Sequence, residues 1–128
     1  MKPVSGRMRT LLSLSVLLGL GLFGVGCNRS SGYEDCTPGD TILIGCTSNV
    51  GARCSGDPTL AVCEDTVAPE SCESSTPTPP RLGYIDDVDG LCPELRVVCP
   101  ASGRVAVNPE PFGGRSYTCG WDSRSVTP

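Results

Sequence analysis

Histidine is absent from all 128 residues, and lysine occurs once, as Lys2. Without imidazole the chain has no side chain whose unperturbed titration lies near neutral pH, and it lacks the commonest metal-binding nitrogen. A hydroxyl nucleophile activated by histidine is therefore excluded, and no G-x-S-x-G elbow occurs. Aromatic residues are equally sparse. From position 27 onward they are Tyr33, Tyr84, Phe112, Tyr117 and Trp121, so a core must be assembled from Leu, Ile, Val and half-cystines. Positive charge is scarce as well: after residue 26, seven Arg stand against fourteen Asp and Glu, giving 7 − 14 = −7. A nucleic acid, whose binding is driven by Lys and Arg neutralising phosphates, is excluded as a partner.

What the chain has is an apolar leader and nine cysteines. Lys2, Arg7 and Arg9 precede an uncharged stretch of sixteen residues, 10–25, and Gly26-Cys27 follow. A basic start, an apolar middle and a small-residue cleavage point form the layout of an export signal. As a helix the stretch would reach only ~24 Å, short of a ~30 Å hydrocarbon core, which argues against a permanent span.

The segment Gly24-Val25-Gly26-Cys27 resembles the end of a bacterial lipoprotein signal, with Gly24 where Leu is favoured. The resemblance implies cleavage before Cys27, a thioether from its sulfur to diacylglycerol, and an acyl group on the new N-terminus. Such a multi-chain anchor exceeds what stable membrane attachment requires. Asn28, rather than the Asp of an inner-membrane retention signal, implies the outer membrane. Gly24 and Gly26 also satisfy ordinary signal peptidase, so a protein released from the cell is the alternative.

Cysteine parity separates Cys27 from the rest. Removing it leaves Cys36, Cys46, Cys54, Cys63, Cys72, Cys92, Cys99 and Cys119, an even set of eight. No two are spaced as C-x2-C, which excludes a zinc knuckle and a C-x-x-C redox pair. In an exported domain of this size an even set reads as four disulfides, worth ~2–4 kcal/mol each, with pairing left open. The chain divides into a signal at 1–26, a polar tether at 27–35 and a Cys-rich domain at 36–128.

Apolar residues then recur at period two, predicting strands over 41–46, 59–64, 82–85, 95–99, 104–107 and 116–121. Gly, Pro, Asn and Asp cluster between them, including Pro38-Gly39-Asp40, Gly56-Asp57-Pro58 and the stretch 108–114, and predict turns. Six or seven short strands make an all-β, jelly-roll-like sandwich stapled by disulfides. The longest loop, 64–80, is an exposed connector pinned by Cys72. Pro38-Gly39-Asp40-Thr41, the run 56–62, Asp86-Asp87 and the segments 99–105 and 116–118, taken as a closing hairpin, together resemble the bacterial pre-peptidase C-terminal domain, a small β-sandwich. The turns between the cysteines are also similar to those of uncharacterised Cys-rich lipoproteins of myxobacteria.

For chemistry, the acidic loop 86–90 fails the EF-hand template, because Ile85 and Arg96 fall at the first and last ligand positions. A calcium site shared by Asp57, Asp86, Asp87 and Asp89 across two loops is weighed against a solvated turn. Carboxylates elsewhere read as a solubility face, with no cleft evident for glycoside hydrolysis. Trp121 reads as a packed edge residue near Cys119; with Tyr117 and Phe112 it is the choice for a glycan platform. The chain is thus expected to be a non-catalytic envelope lipoprotein, meeting the membrane through Cys27 and a protein or glycan partner through its surface. A secreted inhibitor or toxin-like domain is the alternative.

Overall fold

The computed structural model describes residues 28–86 and 92–127. The leader, Cys27, Asp87 and Asp89 lie outside those residues. Among the described residues nine strands are formed: β1 (Gly32–Asp35), β2 (Thr41–Gly45), β3 (Cys54–Ser55), β4 (Pro58–Glu64), β5 (Arg81–Ile85), β6 (Glu94–Val98), β7 (Arg104–Pro111), β8 (Thr118–Cys119) and β9 (Asp122–Ser125). They make a four-stranded sheet in the order β1-β7-β4-β5, a three-stranded sheet β6-β2-β9 and a short pair β3-β8, with every neighbour antiparallel. The all-β fold expected from period-two patterning is the fold observed.

Alternation explains how the sheets meet. Ile42 and Ile44 of β2 and Val97 of β6 point to the same interior as Leu60 and Val62 of β4 and Val105 and Val107 of β7, forming one buried cluster. Burying each such side chain is worth ~1.5–3 kcal/mol. At one edge β5 lies over β6 so closely that a Cβ on Gly83 would stand 2.7 Å from Leu95 Cδ1. At the other, Ser123 of β9 donates to Glu34 of β1 at 2.5 Å.

All eight cysteines of the domain are paired: Cys36–Cys99, Cys46–Cys119, Cys54–Cys92 and Cys63–Cys72. Cys46–Cys119 is fully buried in the main core beside Trp121. Cys63–Cys72 lies on the opposite, outer face of the four-stranded sheet, in a second cluster with Ala61 and Ala106. There it holds the long loop against the sheet, and buried Asn108 Nδ2 donates to Cys72 O at 2.7 Å. The connector pinned by Cys72 is therefore a cover over one sheet face.

The structure departs from the sequence reading in four places. Residues 108–111, expected as turn, extend β7 and pair with β4 from Ala61 to Pro58. Pro109 and Pro111 are tolerated because the β1 ladder on the other side of β7 ends at Gly32–Val107, so that side demands no N–H there. The stretch 116–121 is not one strand: β8 pairs with β3, and the chain turns at Gly120-Trp121 into β9, which pairs with β2. It follows that β7 and β8 do not pair as a closing hairpin. Finally, the part of the expected tether from residue 28 onward belongs to the fold, since residues 32–35 are β1 and residues 28–30 dock on the segment around Cys119.

Candidate functional site

The N-terminal segment is built onto the body by polar contacts that its composition does not announce. Asn28 Oδ1 accepts from Cys119 N at 2.7 Å, and Arg29 N donates to Cys119 O at 2.9 Å, so both backbone groups of Cys119 are engaged. The Arg29 guanidinium lies 3.6 Å from the Trp121 ring centroid, donates to Trp121 O at 3.2 Å and pairs with Glu34 at 3.4 Å. Trp121 Nε1 donates to Ser30 O at 3.0 Å. A stacked guanidinium and satisfied indole N–H make this a fitted joint rather than a loose leader.

Trp121 is 1% exposed. The expectation of a packed residue near Cys119 describes its place, and its ring is closed to a sugar. Tyr117 is half-buried with its hydroxyl donating to Pro109 O at 3.1 Å. Of the expected aromatic trio, Phe112 alone presents its ring to solvent, at 48% exposure.

A cleft of about 370 Å³ opens instead on the outer face of the four-stranded sheet. Thr59 of β4, Tyr84 of β5 and Glu110 of β7 line its floor, with Ser74 of the covering loop and Pro111 to Gly114 at its rim. Period-two alternation makes this arrangement inevitable once the registry is known. If Leu60, Val107 and Ile85 face the core, then Thr59, Glu110 and Tyr84 face outward. Burial holds the Glu110 carboxyl above its ordinary value, and the negative charge of Glu73 adds to that. Tyr117 is raised too, first by burial and then by Glu110. Glu110 is the one carboxyl that lines this cleft among the described residues, with the exposed ring of Tyr84 in the same lining. Neither Tyr84 nor Glu110 carries a motif, so only their register on β5 and β7 could have singled them out.

The acidic loop is less definite. Asp57 stands three residues before Leu60 and Asp86 one after Ile85, and Leu60 pairs with Ile85, which puts both carboxylates at the same end of the β4–β5 ladder. Asp57 Oδ1 is buried without a hydrogen-bond partner. Calcium takes six to eight oxygens, and among the described residues no group of three or more His, Cys, Asp or Glu converges. Asp87 and Asp89 lie outside the described residues.

At the β6 edge of the three-stranded sheet, Thr47 Oγ1 and Asn49 Nδ2 donate to Glu94 Oε1 at 2.5 and 2.8 Å. These bonds lower the Glu94 carboxyl below its ordinary value, Thr47 contributing most. Comparison with protein-family models, with curated proteins and with solved structures finds no match for the chain.

Proposed function

We propose that the chain is a non-catalytic cell-envelope lipoprotein, a disulfide-stapled β-sandwich held on a membrane by acylated Cys27 and serving as an interaction module. One observation carries the reading. The eight cysteines from Cys36 to Cys119 satisfy one another, so Cys27 is left over, at the point where an export signal ends and one residue before the docked Asn28. A leftover thiol on an exported chain needs an occupation, and lipidation is the one its surroundings describe. Four disulfides in so small a domain also favour an oxidising compartment. Within this reading the cleft bearing Tyr84, Phe112 and Glu110 is the contact site for the partner, whose chemistry is that of a protein or glycan surface. The resemblance to the pre-peptidase C-terminal domain belongs to the same proposal and concerns the sandwich alone.

Intact-mass spectrometry of the natural protein, before and after reduction, tests it. The expected product begins at Cys27, carries a diacylglycerol and an acyl chain, and gains eight hydrogens when its four bridges are reduced. A product with unmodified Cys27, found in the medium, would refute the anchor and point to the secreted alternative.

A further inference from the structure

We infer that the end of the sandwich holding residues 28–30 and the turn 111–115 lies directly on the bilayer, with the Phe112 ring seated among the lipid headgroups; this rests on Cys27 bearing the acyl chains. The first reason is the lack of slack. Cys27 and Asn28 are neighbours in the chain, ~3.8 Å apart at their Cα atoms, and Asn28 is fixed to Cys119, which is fixed in turn by its disulfide to Cys46. A lipid on Cys27 therefore emerges from the surface of the domain itself.

The second reason is where that surface leads. Cys119 pairs with Cys54 and Thr118 with Ser55. Two residues on, Asp57 O accepts from Phe112 N at 2.9 Å. A strand pairing, a three-residue step and the bond to Asp57, at ~4.8 Å between strands and ~3.3 Å per residue, put Phe112 within ~20 Å of Cys119, on which Asn28 is docked. Residues 111–115 are all exposed and include no acid, and Gly113 and Gly114 take positive φ of 66° and 77°, with open space where side chains would stand. Phe112 tops this bare turn, and the exposed Arg53 and Arg115 belong to the same end. An aromatic ring flanked by Arg suits the boundary between headgroups and acyl chains.

Third, the most exposed large apolar residue among the described residues sits at the far end, whereas Tyr33, 41% exposed, carries Arg104 stacked over its ring. Val98, 58% exposed, pairs with Thr41 next to Cys99 and the Cys36–Cys99 bridge, where β1 and β6 both finish. The same orientation sets the cleft beside the headgroups, with Phe112 as its membrane-side rim.

The test uses the full chain, processed and purified from membranes, then reconstituted in vesicles of phosphatidylethanolamine and phosphatidylglycerol carrying a headgroup nitroxide. Phe112→Trp and Val98→Trp are compared, with Trp121 buried in both as a common background. Quenching should remove about half or more of the emission added by F112W and leave that added by V98W unchanged, as an interfacial ring requires. If F112W is unquenched, or V98W is quenched equally, in protein whose Cys27 is acylated by mass, the orientation is overturned while the lipoprotein reading stands. If Cys27 carries no lipid, both fall together.

Discussion

Replacing Cys46 and Cys119 together by alanine should destabilise the domain more than replacing Cys63 and Cys72, and in a different place. The Cys46–Cys119 link spans 73 positions in sequence. Its effective ring is shorter, because the Cys36–Cys99 bridge offers a path of ten residues to Cys36 and twenty from Cys99 to Cys119. A ring of ~31 residues corresponds to a loop-closure contribution of about 3.7 kcal/mol, whereas the Cys63–Cys72 ring of ~10 residues corresponds to about 2.7 kcal/mol. All four half-cystines are fully buried, so each truncation adds about 1 kcal/mol for the void left by sulfur. The totals are about 6 and 5 kcal/mol, against a net stability of ~5–15 kcal/mol for a typical domain.

Location separates the two variants further. Cys46 and Cys119 adjoin Trp121 in the main core, and Cys119 holds Asn28 and Arg29. Cys63 and Cys72 hold the loop on the outer face. Urea unfolding followed by far-UV circular dichroism gives the energies, and Trp121 emission reports the core. C46A/C119A should red-shift the native emission and free the N-terminal segment to hydrogen exchange. C63A/C72A should leave emission native and expose the loop and Asn108. The reasoning is refuted if C63A/C72A costs as much as the core pair, or moves Trp121 emission as far.

Other substitutions probe the remaining features. Gly56→Ala should cost about 2–4 kcal/mol, because φ is +74° and the new Cβ would meet Ser116 O at 2.6 Å, while Gly83→Ala, facing the movable tip of Leu95, should cost about 1 kcal/mol; thermal unfolding of both ranks them. Glu110→Gln should stabilise the protein by roughly 0.5 kcal/mol at most near pH 7, solvent screening at this partly exposed site keeping the effect small, and have no effect near pH 3, since a raised carboxyl contributes stability below its unfolded value that is lost as pH rises through its folded one. A gain that persists in acid would contradict that origin. Glu94→Gln should show the reverse: the lowered carboxyl stabilises above its ordinary value and is lost as acid protonates it, so the variant's deficit, about 1 kcal/mol at most at this partly exposed site, shrinks on acidification in urea titrations. Arg29→Met should cost about 1–2 kcal/mol by removing the contact over Trp121 and the bond to its carbonyl; an unchanged urea midpoint would argue that the N-terminal joint contributes nothing.

Period-two alternation, turn residues and an even cysteine set were enough to identify an all-β domain stapled by four bridges, because each is a local property that survives in any register. The interior positions Ile42, Ile44, Leu60, Val62, Val105 and Val107 follow from the same pattern. β1 and the docking of Asn28 to Ser30 were invisible: their side chains are polar, and what recruits them is the hydrogen-bonding demand of Cys119 and Trp121, some ninety residues away. Pro109 and Pro111 likewise suggested a turn, since a proline is admissible in a strand only where its neighbour on one side stops, and that is decided by where β1 ends.

The cleft shows the same division. Alternation alone determined that Thr59, Tyr84 and Glu110 share a parity with respect to their strands, but not that β4 lies between β5 and β7 and brings the three to one face. Sequence supplied the number of half-cystines and their evenness from Cys36 to Cys119. Tertiary structure chose one pairing among the many that eight thiols allow, because bridging requires two Cβ atoms a few ångström apart, and that proximity exists only after the sheets have packed.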